Sequence, residues 1–147
     1  MRYNLSHGNK PTRVIFCGDR EWTDAFAVEA ALLRLVPSKD VIITGGAQGA
    51  DTIAHDLAAG MGFLLESYPA EWDKYHKAAG PIRNQQMLDS KPDLVIAFHH
   101  DLLRSKGTKD MVDRARKAGV RVILVTGAEG IPNGEEATVQ EKGQVDE

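Results

Sequence analysis

A single cysteine, Cys17, leaves this chain without an internal disulfide and excludes a four-cysteine zinc site. Long hydrophobic runs are missing as well: none approaches the ~18 residues that a bilayer span requires, and residues 1–12 are polar, without the apolar centre of a secretory signal. These absences predict a cytoplasmic protein with no membrane partner, whose fold stands on packing alone. Nor is there a basic excess. The net charge is −3, and it is unevenly spread. Residues 128–147 hold Glu129, Glu135, Glu136, Glu141, Asp146 and Glu147 against Lys142 alone, so the tail carries −5 and residues 1–127 carry +2. Aromatic residues are only 6% of the chain, so any that fall in connecting segments are informative.

What is present fits one domain. The 147 residues match the usual domain size, and 42% hydrophobic with 27% charged residues excludes a disordered or fibrous chain. The expected organisation is a flexible leader (1–12), a domain (13–127) and an acidic flexible tail (128–147), whose glycines and scarcity of large apolar groups cannot offset ordering entropy. Five short runs rich in β-branched or other apolar residues, at 14–17, 41–44, 63–65, 94–98 and 121–125, read as strands buried on both faces. The 18 to 28 residues between them suit helical crossovers and not hairpins. Ala50, Ile53, Ala54, Leu57, Ala58 and Met61 form one helical stripe closed by Gly62. Similar stripes run through Ala25, Val28, Leu32 and Leu35 before Pro37, from Pro81 to about Ser90, and through Met111, Ala115 and Ala118 before Gly119. Alternating strands and helices predict a three-layer α/β sandwich on a mainly parallel five-stranded sheet.

In such sheets ligands bind beyond the carboxyl ends of the strands, and polar residues collect there. The first strand is followed by Gly18-Asp19-Arg20-Glu21-Trp22, the second by Gly45-Gly46-Ala47-Gln48-Gly49-Ala50-Asp51, the fourth by His99-His100 and then Ser105-Lys106-Gly107-Thr108. A glycine-rich loop opening a helix presents backbone amides to an anion, although the same glycines also permit a plain tight turn. The loop has neither the Lys-Ser/Thr of a P-loop nor dinucleotide spacing. Glu66 near the third strand only imitates a ribose-binding acid. Asp51 is read either as a ribose partner or as an acid favoured by its helix dipole. Arg83 sits in the first turn of a helix, where the dipole opposes a cation, so a bound phosphate or an ion pair should compensate. Thr108 can cap its helix. Trp22, near Arg20, is the stacking candidate, and Trp72 is read as packing. Adjacent His99 and His100 point opposite ways on a strand end, so no metal site is expected, and no cofactor is called for.

Taken together these motifs, with Pro69-Ala70-Glu71-Trp72, Ala79-Gly80-Pro81-Ile82-Arg83-Asn84, Met87-Leu88 and Asp110-Met111, resemble the SLOG superfamily of Smf/DprA and LOG-like proteins, most closely its YspA-related branch. The resemblance covers about residues 13–125. It implies a Rossmann-like fold, a pocket for a nucleotide or nucleotide-derived ligand, and homo-oligomers. LOG-like phosphoribohydrolases cleave the N-glycosidic bond of nucleoside monophosphates with a Glu three residues after the Thr that matches Thr108. Here that position is Met111, whose thioether moves no proton. The stretch 44–58 also resembles the single-stranded-DNA-binding core of DprA, a less favoured alternative for a domain of only +2.

The expected pocket follows. The amides of Gly45, Gly46, Ala47 and Gly49, with Arg83 and Thr108, hold phosphate; Asp51 or Asn84 takes a ribose hydroxyl; Trp22 takes a base; Gly18, Arg20, Lys106 and Gly107 complete the lining. A ligand sensor, a sequestering protein without catalysis, and a hydrolase of N-glycosidic or phosphate-ester bonds all fit that pocket. For the last, Asp19, Glu21 and Asp110 are the candidate acids and bases.

Overall fold

The computed structural model describes residues 4–127 and 139–141. Five parallel strands, β1 (Arg13–Gly18), β2 (Val41–Thr44), β3 (Leu64–Ser67), β4 (Leu94–Phe98) and β5 (Arg121–Val125), lie in the order β3-β2-β1-β4-β5. The three-layer, Rossmann-like α/β architecture is therefore present. Strands two, four and five have the bounds read from the sequence. β3 is shifted toward the chain end because Phe63 belongs to the core beneath it while Leu64 is exposed at the sheet edge.

Alternation along the strands builds two cores. Val14 and Phe16 of β1 face one way and pack with α1 (Ala25–Leu32) and α2 (Ala50–Met61). Ile15 and Cys17 face the other way and pack with Met87 and Leu88 of α4 (Ala79–Asp89) and Met111, Val112 and Ala115 of α5 (Gly107–Lys117). Central strands covered on both faces must be apolar at nearly every position, which is why they read as near-continuous hydrophobic runs. The α2 stripe ends as its sequence predicts: Gly62 adopts φ 90°, and its amide closes the last turn on Ala58 and Ala59.

Two segments outside the expected domain join it. Residues 4–12, expected as a leader, lie against the body: Ser6 Oγ and the Thr12 amide donate to buried Asp40, and Lys39 Nζ donates to the carbonyls of His7, Gly8 and Lys10. Within the expected tail, β6 (Val139–Glu141) pairs antiparallel with β5 and makes a sixth strand; the rest of 128–147 falls outside the described residues. A short helix, α3 (Trp72–Tyr75), and the 3-10 turns His76–Ala78 and Leu102–Arg104 occupy connections that carry no periodic stripe to announce them. No helix among the described residues is long and apolar enough to cross a membrane.

Candidate functional site

The sheet grows in opposite directions from its middle, with β2 and β3 on one side of β1 and β4 and β5 on the other. Loops leaving β1 and β4 therefore part over opposite faces, the situation that opens a ligand crevice. A cleft of about 590 Å³ lies at this point, within the roughly 300–1,000 Å³ of small-molecule sites. The seam beneath it is tight. The Asp19 amide donates to the Phe98 carbonyl at 2.8 Å, and a Cβ on Gly18 would run into that carbonyl and come 2.9 Å from the Ala50 side chain. Buried Cys17, Met87 and Met111 give the cleft an apolar floor. Burial pushes the Cys17 thiol well above its ordinary range, and nearby Asp51 adds to the effect, so it is a neutral lining group.

Most of the sequence-predicted residues do meet here. Gly18 at the end of β1 and Asp19, Arg20 and Glu21 after it, Ala47 and Asp51 of the glycine loop, Arg83 and Asn84 of α4, and Lys106, Gly107, Thr108 and Asp110 at the start of α5 all line the cleft. Gly45, Gly46 and Gly49 do not, and the reason is visible in their surroundings. Gly45 lies under the Arg83 guanidinium, which donates from Nη1 to the Gly45 carbonyl. Gly49 has φ +76°, and a Cβ there would overlap the carbonyls of Asp19 and Arg20. These glycines allow close packing of loop on loop.

Three of the loop amides are already engaged. Asp51 accepts from the Gly45 amide at 2.9 Å and from the Ala47 amide, and the Ala50 amide donates to the Asp19 carbonyl. The side chain of Asp51 thus fills the anion position that the sequence reserved for phosphate. It is 4% exposed, and burial raises its pKa to about 6 in spite of those hydrogen bonds and the charges of Arg83 and Arg20. The start of α5 is closed in a similar way. Ser105 Oγ accepts from the Thr108 amide at 3.0 Å, so Ser105, and not Thr108, caps this helix.

Two further readings, those of the tryptophans, are corrected. Trp22 is 1% exposed: its indole packs on Phe98, is covered by the His100 ring at 4.5 Å, and donates to the Asp24 carbonyl, so it cannot stack on a ligand. Trp72, expected to pack, lines the cleft and is 47% exposed. Glu66 is held in a two-pronged pair by Arg13, both bonds 2.8 Å, with Tyr68 as a third partner.

Asn84 ties the two helices of one wall together. Its amide donates to the Gly107 carbonyl and to Asp110 Oδ2, and its oxygen accepts from Arg83 Nε. Asp110 also accepts from Arg114 Nε at 2.9 Å, so both residues serve as struts. What remains to meet a ligand is a ring of side chains. Arg20, Lys77, Arg83, Arg104 and Lys106 supply cations, while of the acids Glu21 is exposed and Asp19 keeps one oxygen toward His99. His99 was missed because adjacent histidines on a strand end argued against a shared metal, which says nothing about one histidine acting alone. Its Nδ1 accepts from the Asp101 amide, leaving the proton on Nε2, which lies 3.9 Å from Asp19 Oδ2. Among the described residues no three His, Cys, Asp or Glu side chains are grouped to hold a metal.

The sequence pattern of the YspA, cpYpsA-related SLOG family matches residues 12–75, from β1 through the glycine loop to Trp72 and α3. The chain is also similar to the Gene 61 protein of Mycobacterium phage D29, at 40% identity over 119 residues that cover 76% of this chain and 94% of that relative. With the strand order, the Gly18–Trp22 turn and the glycine loop in place, the chain belongs to the YspA-related SLOG family.

Proposed function

We propose that the cleft binds a nucleotide or nucleotide-derived phosphorylated ligand through side chains rather than loop amides. Membership of the SLOG family supports a nucleotide-related ligand. The observation that carries the reading is the convergence of Arg20, Arg83 and Lys106 on one cleft at the strand switch point, in a domain with little overall positive charge. Arg83 is half-buried, and burial lowers its pKa from the usual arginine value while Asp51 opposes that shift. A desolvated guanidinium is a strong partner for phosphate oxygens. Thr108, buried at the start of α5, adds a hydroxyl to the same wall.

Calorimetric titration with AMP, ribose 5-phosphate and a single-stranded oligonucleotide tests this. AMP binds, and Arg20→Ala and Lys106→Ala, both exposed positions, each weaken it. Binding of the oligonucleotide alone, with steep salt dependence, would instead select the DNA-binding alternative. A second reading, hydrolysis in the same cleft, is favoured by the His99 and Asp19 pair: the imidazole orients Asp19, whose carboxylate takes a proton from an attacking water. Adenine release from AMP that disappears in Asp19→Asn supports it. Binding without turnover leaves a sensor or sequestering protein.

A further inference from the structure

Trp72 is the large apolar surface of the cleft that phosphate chemistry does not use. Phe26 and Leu103 are more exposed, at 83% and 82%, but neither lines the cleft. Trp72 does, and the guanidinium carbon of Arg20 stands 5.8 Å from its ring centroid. Both groups are planar, and both stack on π faces. Beneath the indole lies the first turn of α4. A Cβ on Gly80 would come 3.6 Å from Trp72 Cη2, so this buried, side-chain-free position lets the ring rest against the helix. Arg83 follows Gly80 by three residues and shares its helix face, about 5–6 Å further along. The exposed ring and the phosphate-directed guanidinium are thus adjacent steps on one wall.

We propose that Trp72 and Arg20 form a stacking subsite for the nucleobase of the ligand, with the base lying on the indole and the phosphate reaching toward Arg83 and Lys106. The subsite rests on the phosphorylated-ligand reading above and adds the recognition of the base. It also separates the two tryptophans by role: Trp22 fixes the β1 turn, and Trp72 meets the ligand.

Because Trp22 is sealed and Trp72 lies in the cleft, indole fluorescence reports on the subsite directly. AMP is expected to quench the emission of the wild-type chain, and Trp72→Phe, which keeps a ring for packing, abolishes that quenching. Ribose 5-phosphate, which lacks a base, binds more weakly than AMP and quenches little. In calorimetry Trp72→Ala weakens AMP by about tenfold, in line with base–aromatic stacking, and leaves ribose 5-phosphate affinity unchanged. Equal affinities for AMP and ribose 5-phosphate, both indifferent to Trp72→Ala, would overturn the subsite while the phosphate reading stands. Failure of both ligands to bind would overturn that reading and the subsite with it.

Discussion

Replacing Asp51 by asparagine separates the cost of burying a charge from the geometry it supports. Asp51 is 4% exposed and titrates near about 6 in the folded chain, against an ordinary value of 3.8. Burial is the main cause, and the amides of Gly45 and Ala47 with the charges of Arg83 and Arg20 hold the shift in check. The raised value means that, between about pH 4 and 6, the folded protein keeps a proton that the unfolded chain has released. Stability from this group is therefore full below about pH 4, falls as pH rises to about 6, and is level above that. The difference between the two values corresponds to about 3 kcal/mol. The carboxamide of the Asp51→Asn variant keeps an oxygen for the Gly45 amide but does not titrate. Urea unfolding of both proteins at intervals from pH 4 to 7 should show wild-type stability falling relative to Asp51→Asn by about this amount. Glu66, held below the usual carboxylate range by the Arg13 pair, contributes the opposite slope, lost as pH falls, but equally in both proteins, so it cancels. Parallel stability curves would refute the reasoning.

Other expectations follow from the same contacts. Trp22→Ala should cost about 3–5 kcal/mol in denaturant unfolding, as other buried aromatic truncations do, and, because Trp22 fixes the turn that carries Arg20, a soluble fraction that folds should also bind AMP more weakly. Asn84→Ala removes the donor shared by Gly107 and Asp110; a loss of about 1–3 kcal/mol is expected, read as a lowered unfolding midpoint. Gly49→Ala places a Cβ against the Asp19 and Arg20 carbonyls at a positive φ; a reduced Tm by scanning calorimetry checks it, and no change would show that the loop yields freely. The neutral Cys17 thiol should resist alkylation at pH 7 in the folded state and react only on unfolding.

The sheet was legible because burial on both faces demands apolar residues at nearly every position: a run such as 94–98, Leu-Val-Ile-Ala-Phe, is buried throughout, and its sequence says so. The gathering of Arg20, Arg83 and Lys106 was legible too, since strand ends in a parallel sheet share an edge. What sequence could not disclose was which polar group takes which partner. A glycine loop followed by an acid reads equally as a phosphate cradle or as a loop filled by its own carboxylate, and only the position of the Asp51 side chain decides. Trp22 and Trp72 were exchanged for a similar reason. Both lie in connections, but the β1 turn folds one inward over Phe98 while a four-residue helix leaves the other at the cleft. Ser105 outcompetes Thr108 as a cap because it precedes the first helical amides by the right interval, a matter of one helix turn that hydrophobic periodicity does not resolve.

The seam between β1 and β4 joins residues far apart along the chain: the Arg13 amide donates to Asp93, 80 positions later. The cleft straddles that seam, and its lining runs from Cys17 to Met111, so neither half of the sheet contains it alone. During synthesis the first half emerges with a sheet edge awaiting its neighbour, and pairing across such a span is slow because the intervening loop must close first. Affinity for any small molecule should accordingly appear only when both halves of the sheet have come together, so that occupancy of the cleft reports, and in turn secures, their union.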